Sequence, residues 1–211
     1  MYDPTLLVVP LRRRDIWRDL AHILSTIFNP FLTALALFVV LALLKSTSIV
    51  DFWRLLFIST FFTSLGPMLY VFWLYATDRV SDLNMSQRHE RESVFFSFVI
   101  FYLVGTLVLW LVHAPLLLVA TLAGYTVAAI IVQYITRYWK ISTHALGITA
   151  PLVVLTLLYG RAPLPFFILI PMVGWARVYL RAHTVLQVIA GCFLGTVSVA
   201  GLFYVFHLVS L

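Results

Sequence analysis

The chain has 211 residues, 63% hydrophobic and 10% charged, with a net charge of +6 and a mean hydropathy of +1.03. A soluble domain carries roughly 25% charged residues, so water is excluded as the main solvent. The basic residues stand in short gaps between apolar runs, which argues against nucleic acid as a partner and for anionic lipid head groups.

Spanning a bilayer takes about 20 mostly apolar residues per helix. The length therefore accommodates an all-α polytopic bundle of six to seven crossings, one integral membrane domain over residues 1–211. Residues 1–21 form a basic segment with Arg12, Arg13, Arg14 and Arg18. The segment lacks the apolar core and small-residue cleavage site of a signal peptide and is expected to be retained. Apolar runs then predict helices over 22–44, 52–77, 94–113, 115–136, 143–160, 163–180 and 184–209. Pro30, Pro67, Pro151, Pro165 and Pro171 fall inside or near the ends of these runs, where neighbouring helices can satisfy the freed carbonyls. Cys192 is the sole cysteine, so neither an internal disulfide nor a thiolate metal site can form within the chain.

Each crossing moves the chain to the opposite face. Counting from the N-terminal side, the polar stretch 78–93 and the joints at 138–142 and 177–183 all return to that side. Three polar stations far apart in sequence thus share one face. The first holds Arg79, Arg88, His89 and Arg91; the second Lys140, Ser142 and His144; the third Arg177, Arg181, His183 and Gln187. Ionisable groups near hydrocarbon are costly and usually face a cavity or a partner. The second and third stations contain no carboxylate, so a bound anion is the natural counter-charge. Phosphate fits, because guanidinium forks pair with its oxygens and lysine supplies a compact charge. Two histidines beside such an anion suggest a nucleophile and a proton donor, chemistry that requires no metal and no cofactor. Gln187 lies one helical turn after His183 and can fix its tautomer.

The run Ala176-Arg177-Val178-Tyr179-Leu180-Arg181-Ala182-His183-Thr184-Val185-Leu186-Gln187 resembles the third signature of the type 2 phosphatidic acid phosphatases: Ser-Arg, five residues, His, three residues, Asp. Ile141-Ser142-Thr143-His144-Ala145 is similar to their Pro-Ser-Gly-His-Ala motif. Their first motif, Lys, six residues, Arg-Pro, finds its best register at Asn84, six residues, Arg91 and Glu92. The resemblance covers 78–195 and implies a lipid-phosphatase-like core in that stretch. It further implies that His183 is the nucleophile that becomes a phosphohistidine and His144 the general acid. Arg177 and Arg91 would bind phosphate oxygens with help from Ser142. Arg79, Arg88 or Lys140 would replace the missing lysine charge. The departures are Ala176 for Ser, Gln187 for Asp and Thr143 for Gly.

Structural explanations stand beside these roles. Arg79, Arg137 and Arg181 read equally as snorkelling anchors, and Lys140 as an aromatic-belt anchor beside Tyr138 and Trp139. Arg12, Arg13, Arg14 and Arg18 read as topology determinants, and His22, His113 and His207 as structural. The N-terminal face carries eleven of the basic residues, against Lys45, Arg54 and Arg161 on the other. By the positive-inside rule that face is cytoplasmic, with the site on it, in a membrane expected to be a prokaryotic plasma membrane.

The reaction expected is hydrolysis of a lipid phosphate or diphosphate, of prenyl diphosphate or phosphatidic acid type, with membrane lipids as surroundings and no nucleic acid. A transferase passing the phosphoryl or head group to a lipid acceptor is an alternative. A lipid-phosphate binding or transport protein without turnover is another. Oligomeric state is not readable from the sequence.

Overall fold

The structure, a computed structural model, describes residues 15–81 and 88–208, with the side chains of residues 88 and 89 excepted. Its described residues form α-helices with short connections and no strand. Asp15 caps α1 (Ile16–Ile27) by accepting from the Arg18 N–H at 3.2 Å. The continuous helix expected over 22–44 is instead broken after residue 27. Asn29 accepts from the N–H groups of Phe31 and Leu32, both at 2.9 Å, and Pro30 opens α2 (Pro30–Lys45). An N-cap followed by proline at the first position starts a new helix, here bent by 44° from α1.

Ser48 caps α3 (Ile49–Thr60), which runs through a π-helical turn at Phe61–Leu65 into α4 (Gly66–Ala76). Pro67 cannot donate to the helix ladder, and the wider turn before it absorbs that fault. The Ser64 hydroxyl donates to the Phe31 carbonyl at 2.8 Å, tying this rod to α2. Then follow α5 (Arg88–Leu111), α6 (Leu116–Thr136), α7 (Thr143–Tyr159), a 3₁₀ turn at Leu164–Ile168 leading into α8 (Leu169–Tyr179), and α9 (Val185–Val205).

By length and composition four rods among the described residues are long enough to cross a membrane, and five if α1 and α2 count as one bent span. The expected six to seven crossings also included α7 and the Leu164–Tyr179 helix, which are apolar but shorter. At about 1.5 Å per residue the 17 residues of α7 lie at the short end of what crosses a hydrocarbon core of about 30 Å.

α6 runs through the middle of the main core, where Leu118 and Leu122 meet Phe38 of α2 and Phe203 of α9. α7 and α9 approach closely through two glycines four residues apart. A Cβ on Gly191 would lie 2.4 Å from the Ser142 carbonyl oxygen, and one on Gly195 would lie 2.9 Å from that of Leu146. Small residues at such a spacing let membrane helices pack backbone to backbone.

Candidate functional site

The close approach of α7 and α9 brings two stations together. Ser142 caps α7 by accepting from the Ala145 N–H at 3.3 Å, and its own N–H donates to the Gln187 carbonyl at 3.1 Å. Thr184 caps α9 in a reciprocal capping box with Gln187, whose side-chain oxygen accepts the Thr184 N–H at 3.1 Å. The two helices thus present their N-terminal, partially positive ends at the same place.

Between α8 and α9 the chain turns sharply. Arg181 adopts a left-handed backbone, φ 54°. The Arg181 N–H donates to the Val178 carbonyl at 2.9 Å and the Ala182 N–H to that of Arg177 at 3.0 Å. This is a Schellman ending with arginine where glycine is usual. The His183 N–H also donates to the Arg177 carbonyl, at 3.2 Å, so one turn fixes both motif residues relative to each other.

A cavity of about 480 Å³ opens at these helix ends, lined by Arg18, His22, Arg91, Phe95, Thr136, Lys140, Ile141, Thr143, His144, Arg177, Leu180, Arg181, Ala182 and His183. Five cationic side chains and three imidazoles border it, and among the described residues no carboxylate does. Arg18, Lys140, Arg177 and Arg181 have no ion pair among the described residues, where Arg54–Asp51 at 2.7 Å is the ion pair found. Arg177 is half-buried and donates from Nη1 to the Ser25 hydroxyl at 3.3 Å, while its Nε is buried without a partner.

His183 Nδ1 lies 3.3 Å from the Gln187 side-chain oxygen. Because that oxygen already accepts the Thr184 N–H, its identity as an acceptor is fixed and Nδ1 must carry the proton. Nε2 then holds the lone pair. Burial, and next the Arg177 charge, pull the His183 imidazole down to about 4; Lys140 and Arg91 add smaller contributions, and the Gln187 hydrogen bond opposes them. At neutral pH the ring is uncharged.

Residues 132–210 match the family model of the PAP2 superfamily. The match bears out the resemblance read from the second and third stations, and it ends short of the first. No curated protein and no solved structure matches the chain significantly.

The expected site residues fall partly inside this matched segment and partly outside it. The cavity gathers His144, His183, Arg177, Arg91 and Lys140, with Gln187 behind His183. It does not gather Ser142, which is fully buried and whose hydroxyl serves as a helix cap. Nor does it gather Arg79, whose guanidinium sits 4.7 Å from the centre of the Trp73 ring. Asn84 and Arg12, Arg13 and Arg14 lie outside the described residues, as does the side chain of Arg88.

Three residues on α1, two lining the cavity and one beside it, were not among the expected site residues. His22, read as structural, and Arg18, read as a topology determinant, line the cavity, and Ser25 supports Arg177. α1 reaches this position by docking on α8. Tyr179 donates to the Asp15 carboxylate at 3.2 Å, Trp17 meets Trp175 edge-on at 6.2 Å, and Ala21 and Leu24 pack on Ala176. Ala176 is 0% exposed, which gives a physical reason for alanine there: a serine hydroxyl would enter a packed helix contact. The sequence signal that points to α1 is the spacing of Arg18, His22 and Ser25 at i, i+4 and i+7, one helical face.

Proposed function

We propose that the protein hydrolyses a membrane lipid phosphate or diphosphate through a phosphohistidine on His183. The PAP2-superfamily segment supports a lipid-phosphate phosphatase in general. The observation that supports the finer reading is the convergence of His144, His183, Arg177, Arg91 and Lys140 on one cavity.

In the proposed reaction the phosphate oxygens pair with Arg177, Arg91 and Lys140, whose fixed charges stabilise the negative charge that spreads over the phosphoryl group. His183 Nε2 attacks phosphorus as the bond to the lipid oxygen breaks. His144 gives its proton to that leaving oxygen. Water then attacks the phosphohistidine and gives a proton to His144, the phosphorus–nitrogen bond breaks, and inorganic phosphate leaves. Gln187 holds the Nδ1 proton throughout, and this keeps Nε2 aimed at phosphorus. Glutamine lacks the full charge that aspartate would place behind the developing imidazolium, so the step is proposed to be slower than with a carboxylate. The site is proposed to face the cytoplasm.

Release of inorganic phosphate from lipid monophosphates and diphosphates by purified protein in detergent tests this reading. His183→Ala is expected to abolish release from every lipid. A variant as active as wild type would overturn the role of His183. A short reaction with a lipid carrying labelled phosphorus, quenched in alkaline detergent because the phosphorus–nitrogen bond is acid-labile, should leave label on wild-type protein and none on His183→Ala.

A further inference from the structure

A second cavity, of about 500 Å³, runs from the polar one into the bundle. The two are continuous: His22, Phe95, Thr143, His144 and Arg177 line both. Away from this shared neck the lining turns aromatic. Phe95, Phe98 and Tyr102 descend one face of α5, with Phe31 and Tyr125 across from them. Phe98 is 5.6 Å from Phe31 and 6.3 Å from Tyr102, and Tyr102 is 6.2 Å from Tyr125. Beneath the two tyrosines lies the packed core that includes Phe38 and Leu122, so they form a floor. The Tyr125 hydroxyl is buried without a hydrogen-bond partner on a residue that is 7% exposed. A polar group left unmatched at the end of an apolar space, instead of being packed over, marks room that something else fills.

From Arg91 at the mouth to Tyr102 at the floor is eleven residues of α5, about 16 Å at 1.5 Å per residue. This depth is close to one leaflet of hydrocarbon, about 15 Å. At roughly 30 Å³ per methylene-sized group, the share of a liquid water molecule, the cavity holds on the order of fifteen carbons. One hydrocarbon chain fills it. A two-tailed lipid would place one tail inside and find no room for the other.

We infer that this cavity binds the apolar chain of a single-tailed lipid phosphate, with Tyr102 and Tyr125 as the floor that sets chain length. The inference rests on the reading of the polar cavity as the phosphate site. It adds that the tail lies inside the protein and not in the surrounding bilayer, and that the substrate class is a one-chain phosphate or diphosphate of about fifteen carbons.

Two measurements test it. In the first, kcat/KM is determined for monoalkyl phosphates of increasing length and for a two-tailed glycerol phosphate, in detergent. Wild type should gain with each added carbon up to about fifteen and then level or fall, and should favour one tail over two by at least tenfold. Ala128→Phe, which fills the cavity, should lower kcat/KM for the longest chains at least tenfold and leave phenyl phosphate within twofold. Tyr125→Ala should move the optimum to longer chains. Phosphate release without dependence on chain length, or with a dependence that neither variant alters, would overturn the tail cavity and leave the proposed chemistry standing.

The second measurement does not need turnover. A monoalkyl phosphate with a diazirine at the chain end is photolysed on His183→Ala, and the labelled peptides are mapped. Label near Tyr102 and Tyr125 is the expected result. Label confined to lipid-facing positions such as Ile130 and Ile131 would overturn the inference, even if no substrate were ever hydrolysed.

Discussion

Replacing Gly191 by alanine adds one methyl group at the point where α9 touches α7. The new Cβ would stand 2.4 Å from the Ser142 carbonyl oxygen and 3.2 Å from the Ala145 Cβ. Ordinary contact begins near 3.4 Å, so the two backbones must separate by about 1 Å. Neither neighbour is the flexible end of a long side chain. The strain is therefore taken up by moving Ser142, which begins the helix carrying His144, away from the helix that follows His183. The 3.1 Å bond from the Ser142 N–H to the Gln187 carbonyl lies in the same contact and would lengthen with it. Overpacking of this kind costs about 1–3 kcal/mol of stability, and a displacement of about 1 Å between reacting groups can cost on the order of 100-fold in rate. The expected outcome is a folded protein with kcat for lipid phosphate lowered about 100-fold. Thermal unfolding in detergent and elution as a single species would establish that the variant is folded. Gly201→Ala is the matched control, because its Cβ would meet nothing within 4 Å, and it should behave as wild type. A folded Gly191→Ala protein with wild-type kcat would refute the reasoning that this contact aligns the two histidines.

Five further outcomes follow from the site and its surroundings. Because His183 is pulled down to about 4 and is proposed to react uncharged, activity should be present above that pH and lost as pH falls through it. The acid limb of kcat/KM, which reports the free enzyme, should lie well below the ordinary imidazole value of about 6.5. Gln187→Glu puts a negative charge against Nδ1, favours the imidazolium and should move that limb up by at least one pH unit. Ser25→Ala removes the hydroxyl that Arg177 donates to; a bond to a charged group is worth about 1.5–3 kcal/mol, so KM should rise about tenfold or more, measurable by initial rates. Arg79→Gln should leave KM and kcat within twofold, since the guanidinium stacks on Trp73 and does not line the cavity. Ala162→Cys, exposed in the connection before α8, should react with an impermeant thiol reagent added to intact cells, and protection there would contradict a cytoplasmic site.

Crossing parity alone foretold that the second and third stations would meet, because each apolar run was long enough to be recognised and each polar joint contained its own charges. The relation of Gln187 to His183 was legible for a similar reason: residues four apart on a helix share a face. Helix ends were harder to read. α4, α5, α8 and α9 all end with a left-handed residue, at Asp78, His113, Arg181 and His207, none of them the glycine that usually announces such a turn. Ser142 and Thr184 are strong N-caps, and their competing use as caps explains why a motif serine need not face the ligand. The part of the site least visible in the sequence was α1. Its apolar residues blend into the following run, and only the Asn29-Pro30 break reveals a separate helix. Its cavity face carries Arg18 and His22, which composition treats as a basic flank. The aromatic cavity was also hidden, because Phe95, Phe98 and Tyr102 look like any lipid-facing stripe until α2 and α6 are folded against them.

The docking of α1 on α8 bears on how the protein can be dissected. The recognisable segment, residues 132–210, contains both histidines but not the serine beneath Arg177, the first imidazole at the neck, or the arginine on α5. A fragment cut to that segment, or a graft of it onto another scaffold, would inherit the reactive groups and lose the wall that holds them in register. Transplanting this chemistry requires moving a tertiary arrangement drawn from the beginning, middle and end of the polypeptide.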